Sequence, residues 1–229
     1  CGQGTPCNTN AWIDKYSEEY SAAFDKIVAA QSAAKVLISL EHSFGKSLDA
    51  PSATHPLLSG ETFLTRFGQN VAPRAWRVAY HPYPKDLCAG AFSADDGPEV
   101  TYGNIGVLAG WLAKNFPNVP SVREIQLTES GINSSAPSSA GAQALLVCAS
   151  FINILGTPGI ENYVYHRMKD NAGEGGLLLG LRDLAGNAKP AWATWALANR
   201  NDLTPPQLSC GFENLPYTKL TRSAHPSRG

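Results

Sequence analysis

Four short apolar runs of this sequence end in side chains able to do acid–base or nucleophilic chemistry. Glu129 follows Glu124-Ile-Gln-Leu-Thr128, and His42 follows Lys35-Val-Leu-Ile-Ser-Leu-Glu41. His81 and Tyr83 follow Trp76-Arg-Val-Ala-Tyr80, and His166 follows Asn162-Tyr-Val-Tyr165, with Asp170 and Glu174 close behind it. An ionised Glu is costly to bury unless it is paired or put to use. Glu129 therefore has two readings: a strand-end carboxylate paired with a nearby Arg or capping a helix, or a group kept for chemistry. Used chemically, a carboxylate attacks an electrophilic carbon or takes a proton. Histidines beside it donate hydrogen bonds or keep it ionised. One such residue would be unremarkable, because a lone His is more often a satisfied structural group. The shared place at the carboxyl ends of strands is the signal, since parallel α/β architectures build sites there.

Positioning these residues requires strands and helices in alternation, and the apolar periodicity supplies them. Residues 11–31 repeat Trp12, Tyr16, Tyr20, Phe24, Ile27 and Val28 at helical spacing. Strands are expected over residues 35–42, 76–81, 124–128 and 162–167. The second is broken by Pro82 and Pro84, since proline cannot donate to a ladder. Further helices are expected over residues 60–69, 104–115, 140–155 and 189–200, with Pro117, Gly156 and Pro158 as stops. Residues 45–60 and 85–101 read as loops, and residues 170–176 as a glycine-rich turn. This alternation means a parallel sheet with crossover helices. Four strand tips converging on one mouth is the arrangement of a (β/α)8 TIM barrel. A doubly wound sheet would carry its Gly-rich turn directly after the first strand. Gly173, Gly175 and Gly176 follow the last strand instead, and read as a loop.

Composition bounds the remaining choices. A chain of 229 residues, 43% hydrophobic and 16% charged, suits one substantial folded core. A net charge of −1 without a basic block offers nothing to nucleic acid. No apolar run approaches the roughly 18 residues that cross a bilayer, so no membrane partner is expected. The sequence opens without Met or a basic-then-apolar leader, which suggests a processed product or a fragment. Five cysteines show no CxxC spacing and their odd number cannot pair completely. Cys1 and Cys7 can close a small loop, and Cys148 sits in an apolar helical run. Neither a metal nor another cofactor is indicated, as the strand-end histidines come from separate strands. Asn133-Ser134-Ser135 fits the N-glycosylation pattern and matters if the chain enters a secretory pathway.

Several of these stretches resemble known proteins. Leu127-Thr-Glu-Ser-Gly131 resembles the seventh-strand nucleophile motif of clan A retaining glycoside hydrolases, and Tyr80-His-Pro-Tyr-Pro84 their sixth-strand sugar-contacting motif. Ile38-Ser-Leu-Glu-His-Ser-Phe44, Ala79-Tyr-His-Pro-Tyr-Pro84 and Glu174-Gly-Gly-Leu-Leu-Leu-Gly-Leu-Arg182 together are similar to a little-characterised family of glycosidase-like barrels, known chiefly as a domain of unknown function. The resemblance runs over residues 11–200. It implies that residues 1–202 form the carboxyl half of a barrel, strands five to eight, and that residues 203–229 form an irregular tail. In clan A the acid/base Glu follows an Asn at the end of the fourth strand, and residues 1–10 hold no such pair. The acid/base and the amino-terminal half of the barrel are thus expected upstream of this chain.

The same resemblance implies a carbohydrate substrate and a division of labour. A retaining hydrolase uses two carboxylates about 5–5.5 Å apart, one as nucleophile and one to protonate the leaving oxygen. Glu129 is the implied nucleophile, with Tyr83 holding it or stabilising charge at the ring oxygen. His42 and His81 are implied donors to sugar hydroxyls, and His166, Asp170 and Glu174 line the far side of the cleft. Glu41 stays ambiguous, because it and His42 face opposite ways along a strand. Trp76 and Trp111 read as core. A non-catalytic carbohydrate-binding or structural barrel remains the alternative, because fold alone does not fix function. A Schiff-base lyase would need a strand-end Lys, and Lys35 stands at the wrong end of its strand.

Overall fold

The computed structural model describes residue 6 and residues 8–198. Within them lie α1 (Thr9–Ala30), β1 (Leu37–Glu41), α2 (Gly60–Val71), β2 (Arg77–His81), α3 (Gly106–Asn115), β3 (Ile125–Ser130), α4 (Ala140–Leu155), β4 (Ile160–Tyr165) and α5 (Pro190–Ala198). The irregular tail expected over residues 203–229 lies outside the described residues.

Local chemistry sets the helix starts. Asn8, Ser59 and Ser139 each accept a hydrogen bond from a first-turn N–H, at Ala11, Thr62 and Ala142, satisfying donors that have no partner inside the helix. The apolar stripe of α1, Ile13, Tyr20 and Phe24, turns inward, where Tyr20 packs edge-on against Phe67 of α2 with ring centroids 4.9 Å apart.

All four strands run parallel in the order β1-β2-β3-β4. Ile38, Val78, Tyr80, Ile125 and Leu127 point toward the helices and form the core with Phe67, Trp76, Leu108 and Val147. Ser39 and Glu41 on the other face are exposed, and Gln126 and Thr128 are half-buried. The sheet is curled. Lys35, just before β1, reaches Glu161 on β4 at 2.6 Å although β2 and β3 stand between them. Strands three places apart in a flat sheet are separated by about 14 Å, so the contact requires strong curvature about the polar face. Consecutive parallel strands with helices outside and a curled polar face inside are a partial (β/α) barrel, the α/β class expected.

All four strands differ from their expected limits by one or two residues. β3 continues to Ser130, and β4 begins two residues earlier and ends before His166. Pairing starts early at β4 because the Gly159 carbonyl already accepts from the Ile125 N–H at 2.8 Å. Trp76 is wholly buried, whereas Trp111 is only partly so and its indole N–H donates to Glu61 at 2.7 Å. Cys148 is buried and disulfide-bonded, and Cys88 is a free, exposed thiol.

Candidate active site

The end of β3 is shaped by one extra residue. Leu127 pairs with Tyr163 and Ser130 with Tyr165, so three steps on β3 match two on β4. Such a bulge breaks the alternation of side chains and re-aims one of them. Leu127 and Ser130 both turn into the core, wholly buried, and Thr128 and Glu129 are left together on the concave side. Gly131 follows where β3 and β4 leave the sheet almost in contact. A Cβ there would collide with the His166 carbonyl oxygen.

Glu129 receives its hydrogen bond from Tyr83, whose hydroxyl donates to Oε1 at 2.9 Å. Among the described residues no Lys, Arg or His pairs with Glu129, and no helix N-terminus uses it as a cap. Tyr83 reaches it from the Pro-Tyr-Pro turn after β2. Burial, then the hydrogen bond to Glu129, then the charges of Glu129 and Glu174 push the Tyr83 phenol far above its ordinary pKa. It stays a donor throughout the physiological range.

Beside this pair, Glu174 Oε1 lies 3.2 Å from His166 Nε2 and 3.1 Å from Arg167 Nη1. Its Oε2 is buried and has no hydrogen-bond partner among the described residues, a condition that costs about 1–3 kcal/mol unless a donor arrives. On the β2 side, His81 Nε2 lies 3.1 Å from Thr128 Oγ1 and 3.4 Å from Ser39 Oγ. These contacts form a row of hydrogen-bonding groups across the concave face next to Glu129.

Two expected residues stand apart. His42 is engaged with its neighbour, its Nδ1 2.9 Å from Glu41 Oε2, and no contact joins it to Tyr83 or Glu129. Burial would raise the Glu41 carboxyl, but the polar groups of His42 and Ser43 beside it outweigh burial and hold the group below the usual carboxylate range. Asp170 does not face the mouth. Its side chain is 1% exposed and accepts from Lys189 Nζ and the Gly180 N–H, both at 2.7 Å.

Residues 4–204 match the model of a family described as a family of unknown function, DUF5722. The chain belongs to that family. No curated protein matches this family member. Among solved structures it is similar to a monomeric beta-xylosidase from Caulobacter crescentus CB15, at 14% identity and TM-score 0.46 over 79% of this chain and 36% of that one. It is also similar to a beta-glucosidase from Thermotoga maritima in complex with castanospermine, at 11% identity and TM-score 0.47 over 82% and 55%. A third is GH5_18 from Streptomyces cattleya in complex with GlcNAc, at 16% identity and TM-score 0.41 over 82% and 52%. This family member thus spans between about a third and just over half of the length of those chains.

The loops of the DUF5722 chain that carry the site residues are tied by three side chains without a catalytic signature. Asn133 is 1% exposed. Its Nδ2 donates to the Cys88 and Ser135 carbonyls, and its Oδ1 accepts from the Ser135 and Leu178 N–H groups. Its amide therefore does not present itself for glycosylation in the folded chain. Gln143 donates to the Ile132, Leu179 and Gly180 carbonyls. Lys189 joins Ser134 Oγ, Asp170 and the Leu178 carbonyl. The sequence signal for Gln143 is a lone polar residue inside the apolar run 140–149. Lys189 and Asn133 sit in loops and carry no comparable signal.

Proposed function

We propose that this chain supplies the nucleophile of a retaining glycoside hydrolase acting on a poly- or oligosaccharide, with Glu129 as the attacking carboxylate. The observation that carries the reading is the state of Glu129: a carboxylate at the carboxyl end of a parallel strand, without a cation among the described residues, held by a phenol that keeps its proton. A structural carboxylate in such a place would be expected to carry an ion pair or a cap.

In this reading Glu129 Oε2 attacks the anomeric carbon while the leaving oxygen is protonated, giving a covalent glycosyl-enzyme that water then hydrolyses. The Tyr83 hydroxyl fixes Oε1, so the second oxygen is aimed, and stabilises charge developing near the ring oxygen. Glu174 Oε2 accepts from a sugar hydroxyl, and His81 and His166 hydrogen-bond to others. The acid/base is a separate carboxylate. The acid/base belongs to an amino-terminal half of the barrel, and residues 1–202 are its carboxyl half.

The test is made on the whole polypeptide with an activated aryl glycoside. Glu129→Gln is expected to abolish turnover and leave sugar binding largely intact. Unchanged turnover in that variant overturns the assignment. Sugar binding without cleavage by any form of the protein would select the non-catalytic barrel.

A further inference from the structure

Past Leu127 the register between β2 and β3 gives way to side chains. The paired residues are Ala79 with Gln126 and Tyr80 with Leu127. β2 does not prolong the ladder, because Pro82 has no N–H to offer and the His81 carbonyl accepts from the Tyr83 N–H at 2.9 Å. The next two residues of β3 meet the end of β2 in order. Thr128 Oγ1 lies 3.1 Å from His81 Nε2, and Glu129 Oε1 lies 2.9 Å from the Tyr83 hydroxyl. The same His81 nitrogen lies 3.4 Å from Ser39 Oγ on β1, so the ring stands between hydroxyls of two strands.

We propose that Thr128 is a positioning residue for Glu129, with His81 as its anchor. This role rests on Glu129 being the nucleophile and adds the group that aims it. Strict alternation along β3 would turn Thr128 and Glu129 to opposite faces. The bulge leaves both on the concave side, where pairing with β2 no longer dictates which way either points. Threonine is β-branched and stiff about its first side-chain torsion. A fixed Oγ1 therefore fixes the backbone at Thr128, and with it the peptide that joins Thr128 to Glu129. The hydroxyl can donate or accept, so the contact forms whichever His81 nitrogen carries the proton.

The other neighbour of Glu129 is fixed as well. The Ser130 side chain is wholly buried and its carbonyl accepts from the His166 N–H at 2.9 Å. Glu129 thus leaves a backbone held on both sides, and Tyr83 sets the direction of its carboxylate. Both hydroxyl contacts of His81 use Nε2, which leaves Nδ1 for the sugar hydroxyl assigned to this residue above. Attack on an anomeric carbon needs the oxygen in line and within reach, and a misplacement of about 1 Å costs on the order of 10²-fold. A contact that only filled the barrel would be served as well by a methyl group.

The experiment uses the whole polypeptide and two variants. Thr128→Val replaces the hydroxyl by a methyl group, and Thr128→Ser keeps the hydroxyl and removes the methyl. On an activated aryl glycoside, Thr128→Val is expected to lower kcat about 10–100-fold with KM within about threefold of wild type. Thr128→Ser should recover most of that rate, and labelling of Glu129 by a 2-deoxy-2-fluoro glycoside should slow in Thr128→Val alone. Valine suits a strand, so melting should stay near that of wild type, and Thr128→Ala asks the same question if it does not. A crystal structure of Thr128→Val should show the Tyr83 hydroxyl and Glu129 Oε1 more than about 3.5 Å apart. That distance is read without hydrolysis, so a moved carboxylate in a protein that never labels Glu129 would keep the positioning and sink the nucleophile. Full kcat in Thr128→Val, a loss that Thr128→Ser does not recover, or an unmoved Glu129 in the variant structure would each overturn the proposal.

Discussion

The concave face carries charged groups at both ends, and the two ends are built differently. At the amino end, Lys35 contacts Glu161 at 2.6 Å and Glu124 at 3.1 Å, and Arg77 contacts Glu124 at 2.6 Å. Two cations meet two carboxylates and each charge has its opposite. At the carboxyl end, among the described residues, Glu129 has a neutral donor and no cation, and one buried oxygen of Glu174 has no partner. Both ends are polar, so polarity does not distinguish them. What distinguishes them is unused hydrogen-bonding capacity, present at the mouth and, among the described residues, taken up by ion pairs at the floor.

The largest effects are expected beneath the mouth. Lys189→Met removes the cation from a pair whose carboxylate is 1% exposed. It should cost about 3–5 kcal/mol, because a buried charge is left uncompensated, and equilibrium denaturation reads the loss. A change below 1 kcal/mol would mean that the loops are not held as described. Tyr83→Phe should leave melting nearly unchanged and lower turnover by about 10²–10³, the usual effect of losing one well-placed donor. That factor should be smaller than for Glu129→Gln. Gly131→Ala drives a methyl group into the His166 carbonyl and should destabilise by about 1–3 kcal/mol, with an effect on turnover larger than its effect on sugar affinity.

The smallest effects belong to the floor. Its groups are partly exposed, and ion pairs of that kind contribute little and are screened by salt. Lys35→Met should therefore move the melting temperature far less than Lys189→Met. The pH dependence has a definite sign. The hydrogen bond from Arg77, then that from Lys35, lowers the Glu124 pKa from 4.5, so its contribution is present above pH 4.5 and fades as pH falls through the lowered value. Glu161 raises the Lys35 pKa from 10.5, so that contribution is complete below 10.5 and is lost as pH rises through the raised value. The melting difference between wild type and Glu124→Gln should be flat between those limits and shrink below pH 4.5.

The legible parts of the sequence were those governed by local periodicity. α4 matches its expected limits of 140–155, since an apolar run between Ser139 and Gly156-Thr-Pro158 leaves little choice. The parallel order of the strands followed from helix–strand alternation. The bulge at residues 128–129 did not, because it is an event of pairing between β3 and β4 and leaves no mark in either segment alone. Asp170 looked able to contact a ligand by type and position, yet Lys189, 19 residues on, turns it into a buried anchor. Asn133 looked like a glycan acceptor and is consumed by loop carbonyls and amides 2 to 45 residues away. In each case the deciding partner is distant in sequence, and the motif names only the residue.

A retaining mechanism requires a covalent bond between Glu129 and sugar. The whole polypeptide is treated with a panel of activated 2-deoxy-2-fluoro glycosides, which slow hydrolysis of a glycosyl-enzyme, then digested and analysed by mass spectrometry. One fluoro-sugar is expected to remain on the peptide containing Leu127-Thr-Glu129-Ser130, with fragmentation placing the adduct on Glu129 and none appearing in Glu129→Gln. A label on another carboxylate, or cleavage of the parent glycoside with inverted anomeric configuration and no label, would contradict the account.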